Sequence, residues 1–209
     1  MCSICGVIVK SKNRKNDPSV LSDLEIGLTA MQHRGEESSG VALFRWLPMS
    51  RDTYRLNRAI SLEDAVNDYN PMTIIKGKGK ISTILESYIL EQKEAAYKEK
   101  KTFTIPEGFM GIGHGRYPTS SYTLQKGQTK EEYISKGMQP LVAPWNKVAF
   151  VHNGDIHNYQ ELREAFTKKK IRFVTTNDLE ALACVFNEAF FSQAEMVEPS
   201  LRIENTIRT

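Results

Sequence analysis

The chain has 209 residues, 40% hydrophobic and 25% charged, with a formal net charge of +3. This is the composition of an ordinary globular protein with enough chain to bury a sizeable core, and its scattered Lys and Arg residues give no mandate for nucleic acid. No apolar run approaches the roughly 20 residues of a membrane span and the N-terminus lacks a signal-peptide core, so the expectation is a cytoplasmic protein that binds neither membrane nor nucleic acid.

In chain order, Ile4 and Gly6 to Val9 form a short apolar run, read as a central buried strand. Leu21, Leu24, Leu28 and Met31 then recur at spacings of three and four, the pattern of an amphipathic helix ending near His33-Arg34-Gly35. Gly40 to Phe44 reads as a second buried strand. Ile60 to Tyr69 and Ile81 to Tyr97 carry helical spacing, and Lys76 to Lys80 between them reads as a basic, solvated turn. The region 48–105 is therefore expected to be a variable helical insertion within a single domain spanning 1–209.

Gly111 to Thr119 begins as a strand and is broken by Pro118, which puts Arg116 at a strand end facing a cleft. Tyr122 to Met138 is polar and without period, a predicted loop. Lys147 to His152 reads as a buried strand, followed by a tight turn at Asn153-Gly154-Asp155. Asn158 or a neighbour is placed to cap a helix through Leu162, Ala165 and Phe166, and Ile171 to Val174 is read as a short strand. Thr176-Asn177-Asp178 has the composition of a helix start, before Leu179, Leu182, Val185 and Phe186.

The cysteines are Cys2, Cys5 and Cys184, too few for a disulfide framework. Cys2 and Cys5 make a C-x-x-C, but no second pair completes a zinc site, and the motif lies at the chain start instead of between a strand and a helix. No metal and no cofactor are expected. Cys2 has a more specific use. The small side chain after Met1 suits removal of that methionine, and an N-terminal cysteine then carries a thiol nucleophile and an α-amine base on one residue. The ordinary pKa of such an amine, about 7.7 to 8.0, leaves a useful fraction neutral near neutral pH.

Four separated segments extend this reading: Met1-Cys2-x-Ile4-x-Gly6, Met31 to Gly35 with Ser39-Gly40, Gly111 to Thr119, and Val151-His152-Asn153-Gly154. In that order they resemble the class II glutamine amidotransferases, which are N-terminal-nucleophile hydrolases. The likeness is to the glutaminase domain of glutamine phosphoribosylpyrophosphate amidotransferase, and the amidotransferase part of glutamate synthase is similar too. The resemblance spans residues 1 to about 187. It implies an α+β fold, a four-layer αββα sandwich, although the length of this chain leaves the C-terminal part of the second sheet unaccounted for. That shortfall implies a longer polypeptide or a covering partner, and hence a hetero- or homo-oligomer.

The resemblance also implies roles. Cys2 attacks the side-chain amide of glutamine. Asn153 and Gly154 supply oxyanion donors, Arg116 with Thr119 grips the α-carboxylate, and Asp178 pairs with the α-ammonium. Arg34 and His114 are candidates for pocket support, and His33 and His114 read as structural histidines. The bland competitor for Arg116 and Asp178 is a structural ion pair. This sequence departs from the family pattern at Ser3, where Gly is usual, at Asp155, where Asn is common, and at Asn177, where Ser is frequent. The implied function is glutamine hydrolysis feeding ammonia to a separate synthase domain or subunit, with the glutamate synthase system favoured and phosphoribosylpyrophosphate amidotransferase next. The alternative is a non-catalytic glutamine-binding or assembly subunit that keeps Met1.

Overall fold

A computed structural model describes residues 2–9, 16–34, 36–45, 72–117, 127–142, 148–175 and 177–192. Met1, Gly35, the expected helix at 60–69 and Thr119 lie outside the described residues. Internal contacts divide the chain into two compact units, one of Met1–Pro118 with Met138–Pro140 and the other of Thr119–Gly137 with Leu141–Thr209. No helix among the described residues is long and apolar enough to cross a membrane.

The first unit contains β1 (Ser3–Ile8), α1 (Ser19–Ala30), a 3-10 turn at Gln32–Arg34, β2 (Ser38–Phe44), β3 (Met72–Lys78), α2 (Ile81–Lys98) and β4 (Met110–Arg116). The four strands form one antiparallel sheet in the order β1-β4-β2-β3. α1 and α2 pack on it through Val20, Leu24 and Leu28 of α1, Val41 and Leu43 of β2, Ile75 of β3, and Ile81 and Leu85 of α2. The three-and-four spacing on α1 thus marks its buried face, as expected.

Two expectations are corrected here. Among the described residues β1 is an edge strand, not a central one, because β4 pairs with both β1 and β2; Cys5 and Val7 face the core while Ile4 and Ile8 are exposed. The helical insertion expected at 48–105 contains a strand of the main sheet, β3, so Lys76 to Lys78 are not a turn. Lys76 is tied down instead of solvated: its ammonium donates to the carbonyls of Met138 and Pro140 at 3.0 Å each, and burial pushes its pKa down.

The glycine-rich β4 has a packing explanation. A Cβ on Gly111 would stand 2.6 Å from Leu24 Cδ1, and one on Gly113 would stand 2.7 Å from Leu28 Cδ1. Bare backbone at those positions lets α1 lie directly on the strand.

The second unit contains α3 (Lys130–Gly137), a short ladder of β5 (Leu141–Val142) with β6 (Ala149–Phe150), α4 (Tyr159–Lys168) and α5 (Asp178–Ser192). The loop predicted at 122–138 is corrected by α3, which opens on a capping box. Thr129 N–H donates to the Glu132 carboxylate, and Glu132 N–H to Thr129 Oγ1, both at 3.1 Å. Among the described residues of the strand predicted at 147–152 only β6 is a strand, and 171–174 is not one. There, the Val174 and Thr175 N–H groups donate to the Glu180 carboxylate at 2.7 Å, so the backbone is satisfied by a side chain instead of a ladder. α5 begins where predicted, but its buried positions are Leu179, Ala181, Ala183 and Cys184, while Leu182 is exposed.

Candidate active site

The site residues anticipated from the sequence divide between the two units. In the first, Cys2 is half-buried and immediately precedes β1. Ser3 pairs with Gly115 in the β1–β4 register, so continuing that register by one residue sets Cys2 opposite Arg116, the last residue of β4. Cys2 and Arg116 therefore occupy the same end of one strand pair. Ser3, in place of the glycine usual in the family, is accommodated: it is buried, and its hydroxyl donates to the Gly115 carbonyl at 3.4 Å.

Arg116 is held by a residue the sequence reading did not single out. Its Nε lies 3.0 Å from Glu37 Oε2, with the two side chains only 12% and 6% exposed. Glu37 is itself pinned by its backbone, since its N–H donates to the Arg116 carbonyl and its carbonyl accepts from Gly79 N–H, both at 3.0 Å. The only cue in the sequence is a carboxylate just after His33-Arg34-Gly35. His114 is 1% exposed in the middle of β4, opposite Ile4 and Gly40. The backbone of Arg34 ends the 3-10 turn that packs against β4.

The Cys2/Cys5 pair is unsuited to bridging. Cys5 lies within β1 and Cys2 before it, and three residues of extended chain span about 10 Å, beyond disulfide reach. Burial, reinforced by Asp23, pushes the Cys5 thiol pKa up, so it stays protonated. Burial likewise pushes the Cys184 thiol to about 11, with a further upward contribution from Glu180.

In the second unit the backbone leaves β6 at Phe150 and runs through an open turn in which Asn153, Gly154 and Asp155 are exposed. Asp178, the first residue of α5, accepts the Ile156 N–H through Oδ2 and its neighbour's N–H, that of Leu179, through Oδ1, each at 2.9 Å. Asn177 does the capping that its position suggested. Its Oδ1 accepts from Leu179 N–H at 2.9 Å and its Nδ2 donates to the Gly137 carbonyl at 3.1 Å. Within its own unit Arg116 pairs with Glu37, and within its own unit Asp178 accepts from backbone N–H groups.

Known proteins resemble the chain in both sequence and fold. Residues 129–199 match the glutamine amidotransferase domain family. The chain is 25% identical to the amidophosphoribosyltransferase of Methanothermobacter thermautotrophicus over 97% of its length and 33% of that protein. It is 28% identical to the glutamine–fructose-6-phosphate aminotransferase (isomerizing) of Corynebacterium efficiens over 93% of its length and 24% of that protein. Among solved structures, an allosteric regulatory enzyme of purine biosynthesis superposes with a TM-score of 0.57 at 20% identity, covering 98% of this chain and 32% of that one. Residues 129–199 thus carry a glutamine amidotransferase domain match, and the likeness of nearly the whole chain is to proteins of the class II, N-terminal-nucleophile type. The chain spans a third or less of the length of the two curated relatives.

Proposed function

We propose that this domain hydrolyses the side-chain amide of free glutamine and passes the ammonia to a synthase site outside these residues. What supports the reading most is the β1–β4 register, which sets Cys2 beside an Arg116 whose guanidinium is braced by Glu37. A planar guanidinium suits a two-pronged grip on a carboxylate, with Thr119 adding a hydroxyl. Asp178 takes the α-ammonium. Reading both charged groups of a free amino acid excludes peptide-bound glutamine.

The chemistry follows from these roles. With Met1 removed, the Cys2 α-amine accepts the thiol proton as Sγ attacks the amide carbon. The oxyanion that forms is met by the Asn153 side-chain N–H and the Gly154 backbone N–H. Collapse breaks the C–N bond, the same proton passes to the leaving nitrogen, and ammonia departs from a thioester. Attack by water on the thioester then releases glutamate and restores the thiol.

The acceptor lies elsewhere. The matched part is common to proteins whose names state different acceptors, so the residues present define only the donor half. We assign the second half to a synthase domain or subunit of the amidophosphoribosyltransferase or aminotransferase kind, in preference to the glutamate synthase system that the sequence alone favoured.

Ammonia release from glutamine tests this, measured for the processed chain and for Cys2→Ala, with intact mass recorded on both. The expected outcome is a mass lower by one methionine and release that Cys2→Ala abolishes. Equal release from both would remove Cys2 as the nucleophile, and a retained Met1 with glutamine binding but no turnover would establish the binding-subunit alternative.

A further inference from the structure

Asp178 is placed to do more than meet an ammonium group. We infer that it is also the positioning residue for the turn that carries Asn153 and Gly154, an inference that rests on the proposed oxyanion role of that turn. Asn153, Gly154 and Asp155 are exposed, and the ladder before them ends at Phe150. The first described anchor after Gly154 is Ile156, two residues on, and it is gripped at both ends of its backbone: Asp178 Oδ2 accepts its N–H at 2.9 Å, and its carbonyl accepts from Tyr159 N–H at 3.0 Å in the first turn of α4.

Asp178 is a firm anchor because its own position is over-determined. Its Oδ1 accepts from Leu179 N–H, Asn177 Oδ1 accepts from the same N–H, and Leu179 is 1% exposed in the core of the unit. A carboxylate has about four acceptor sites, and the two bonds to Ile156 and Leu179 leave room for a substrate ammonium. One side chain would then bind the amino end of glutamine and fix the donors that meet its other end. Oxyanion donors must stay within about 0.5 Å of their productive geometry, so releasing Ile156 should slow the chemical step and not only weaken binding.

Two substitutions separate the tasks. Asp178→Asn removes the charge but keeps an oxygen that can accept the Ile156 N–H. It should raise the KM for glutamine about tenfold or more, leave kcat within about threefold, and preserve hydrogen-exchange protection of the Ile156 amide. Asp178→Ala loses both: kcat should fall by about 10²-fold as well, and the Ile156 amide should exchange at least about tenfold faster. Should the alanine variant not fold, Ile156→Pro deletes the donor while leaving the carboxylate intact, and predicts a fall in kcat with KM unchanged.

Equal kcat in the Asn and Ala variants, or unaltered Ile156 protection in Asp178→Ala, would overturn the positioning role. For Ile156→Pro the overturning result is an unchanged kcat. The underlying reading fails separately: an unaltered KM in Asp178→Asn removes the ammonium contact, and full turnover in Asn153→Ala removes the oxyanion role. Exchange at Ile156 is read independently of either.

Discussion

At the scale of single residues, the Glu37–Arg116 pair decides how the first half of the site is built. Both side chains are nearly buried, so the pair is not a screened surface contact but a desolvated one with Nε fixed against a carboxylate. Removing one member of such a pair typically costs about 3–5 kcal/mol, because the other charge is left buried alone. Glu37→Ala should therefore lower the urea-unfolding free energy by an amount in this range. Glu37→Gln, which keeps an acceptor for Nε, should lose less stability yet raise the KM for glutamine while changing kcat little. An unaltered KM in the glutamine variant would mean that Arg116 is oriented without Glu37. Arg116 was singled out in the sequence because it stands at a strand end broken by proline. Glu37 was not, because its partner arrives only when β2 pairs with β4.

At the scale of elements, α1 and β4 show how packing sets the pattern of residues. Leu24 and Leu28 sit where Cβ atoms on Gly111 and Gly113 would be. Gly113→Ala drives a methyl into Leu28 and should destabilise the first unit by about 1–3 kcal/mol, measured by chemical denaturation. No change would indicate that α1 can shift away from the strand. Helix α1 was readable from its spacing alone, since one amphipathic face is a local property. Strand β3 was not, because Met72–Lys78 mixes lysines and glycine with its apolar residues and is held in the sheet by β2. The cue missed at α3 was local: Thr129-x-x-Glu132 is a capping box, and both of its bonds form. The segment 171–174 misled in the opposite sense, having strand composition but giving its N–H groups to Glu180.

For the molecule as a whole, the proposed reading is that glutamine is recognised as a free amino acid, by both of its charged groups. A ligand that binds only the folded chain stabilises it by mass action, by about 2.7 kcal/mol at a hundredfold excess over Kd. In the processed Cys2→Ala chain, where glutamine is not consumed, saturating glutamine should raise the thermal midpoint. Glutamine acylated on its α-nitrogen should not, because it lacks the ammonium that Asp178 is proposed to receive. An equal rise with both compounds would contradict recognition of a free amino acid.

The sequence by itself pointed to the class and singled out the positions proposed to carry the chemistry. A cysteine after Met1, an arginine before a tyrosine and proline at a strand end, an Asn-Gly turn and an acid opening a helix are each short-range patterns, readable because residue type and neighbours suffice. Their order along the chain carried the resemblance to class II amidotransferases that the family match and the relatives support. Tertiary structure alone decided that β1 lies at the sheet edge, that β3 belongs to the sheet, that Glu37 braces Arg116, and that Asp178 holds the Ile156 N–H. Those facts depend on strand order, register and contacts between segments distant in sequence, and the free energy that selects among them is a sum over packed pairs that no local window contains.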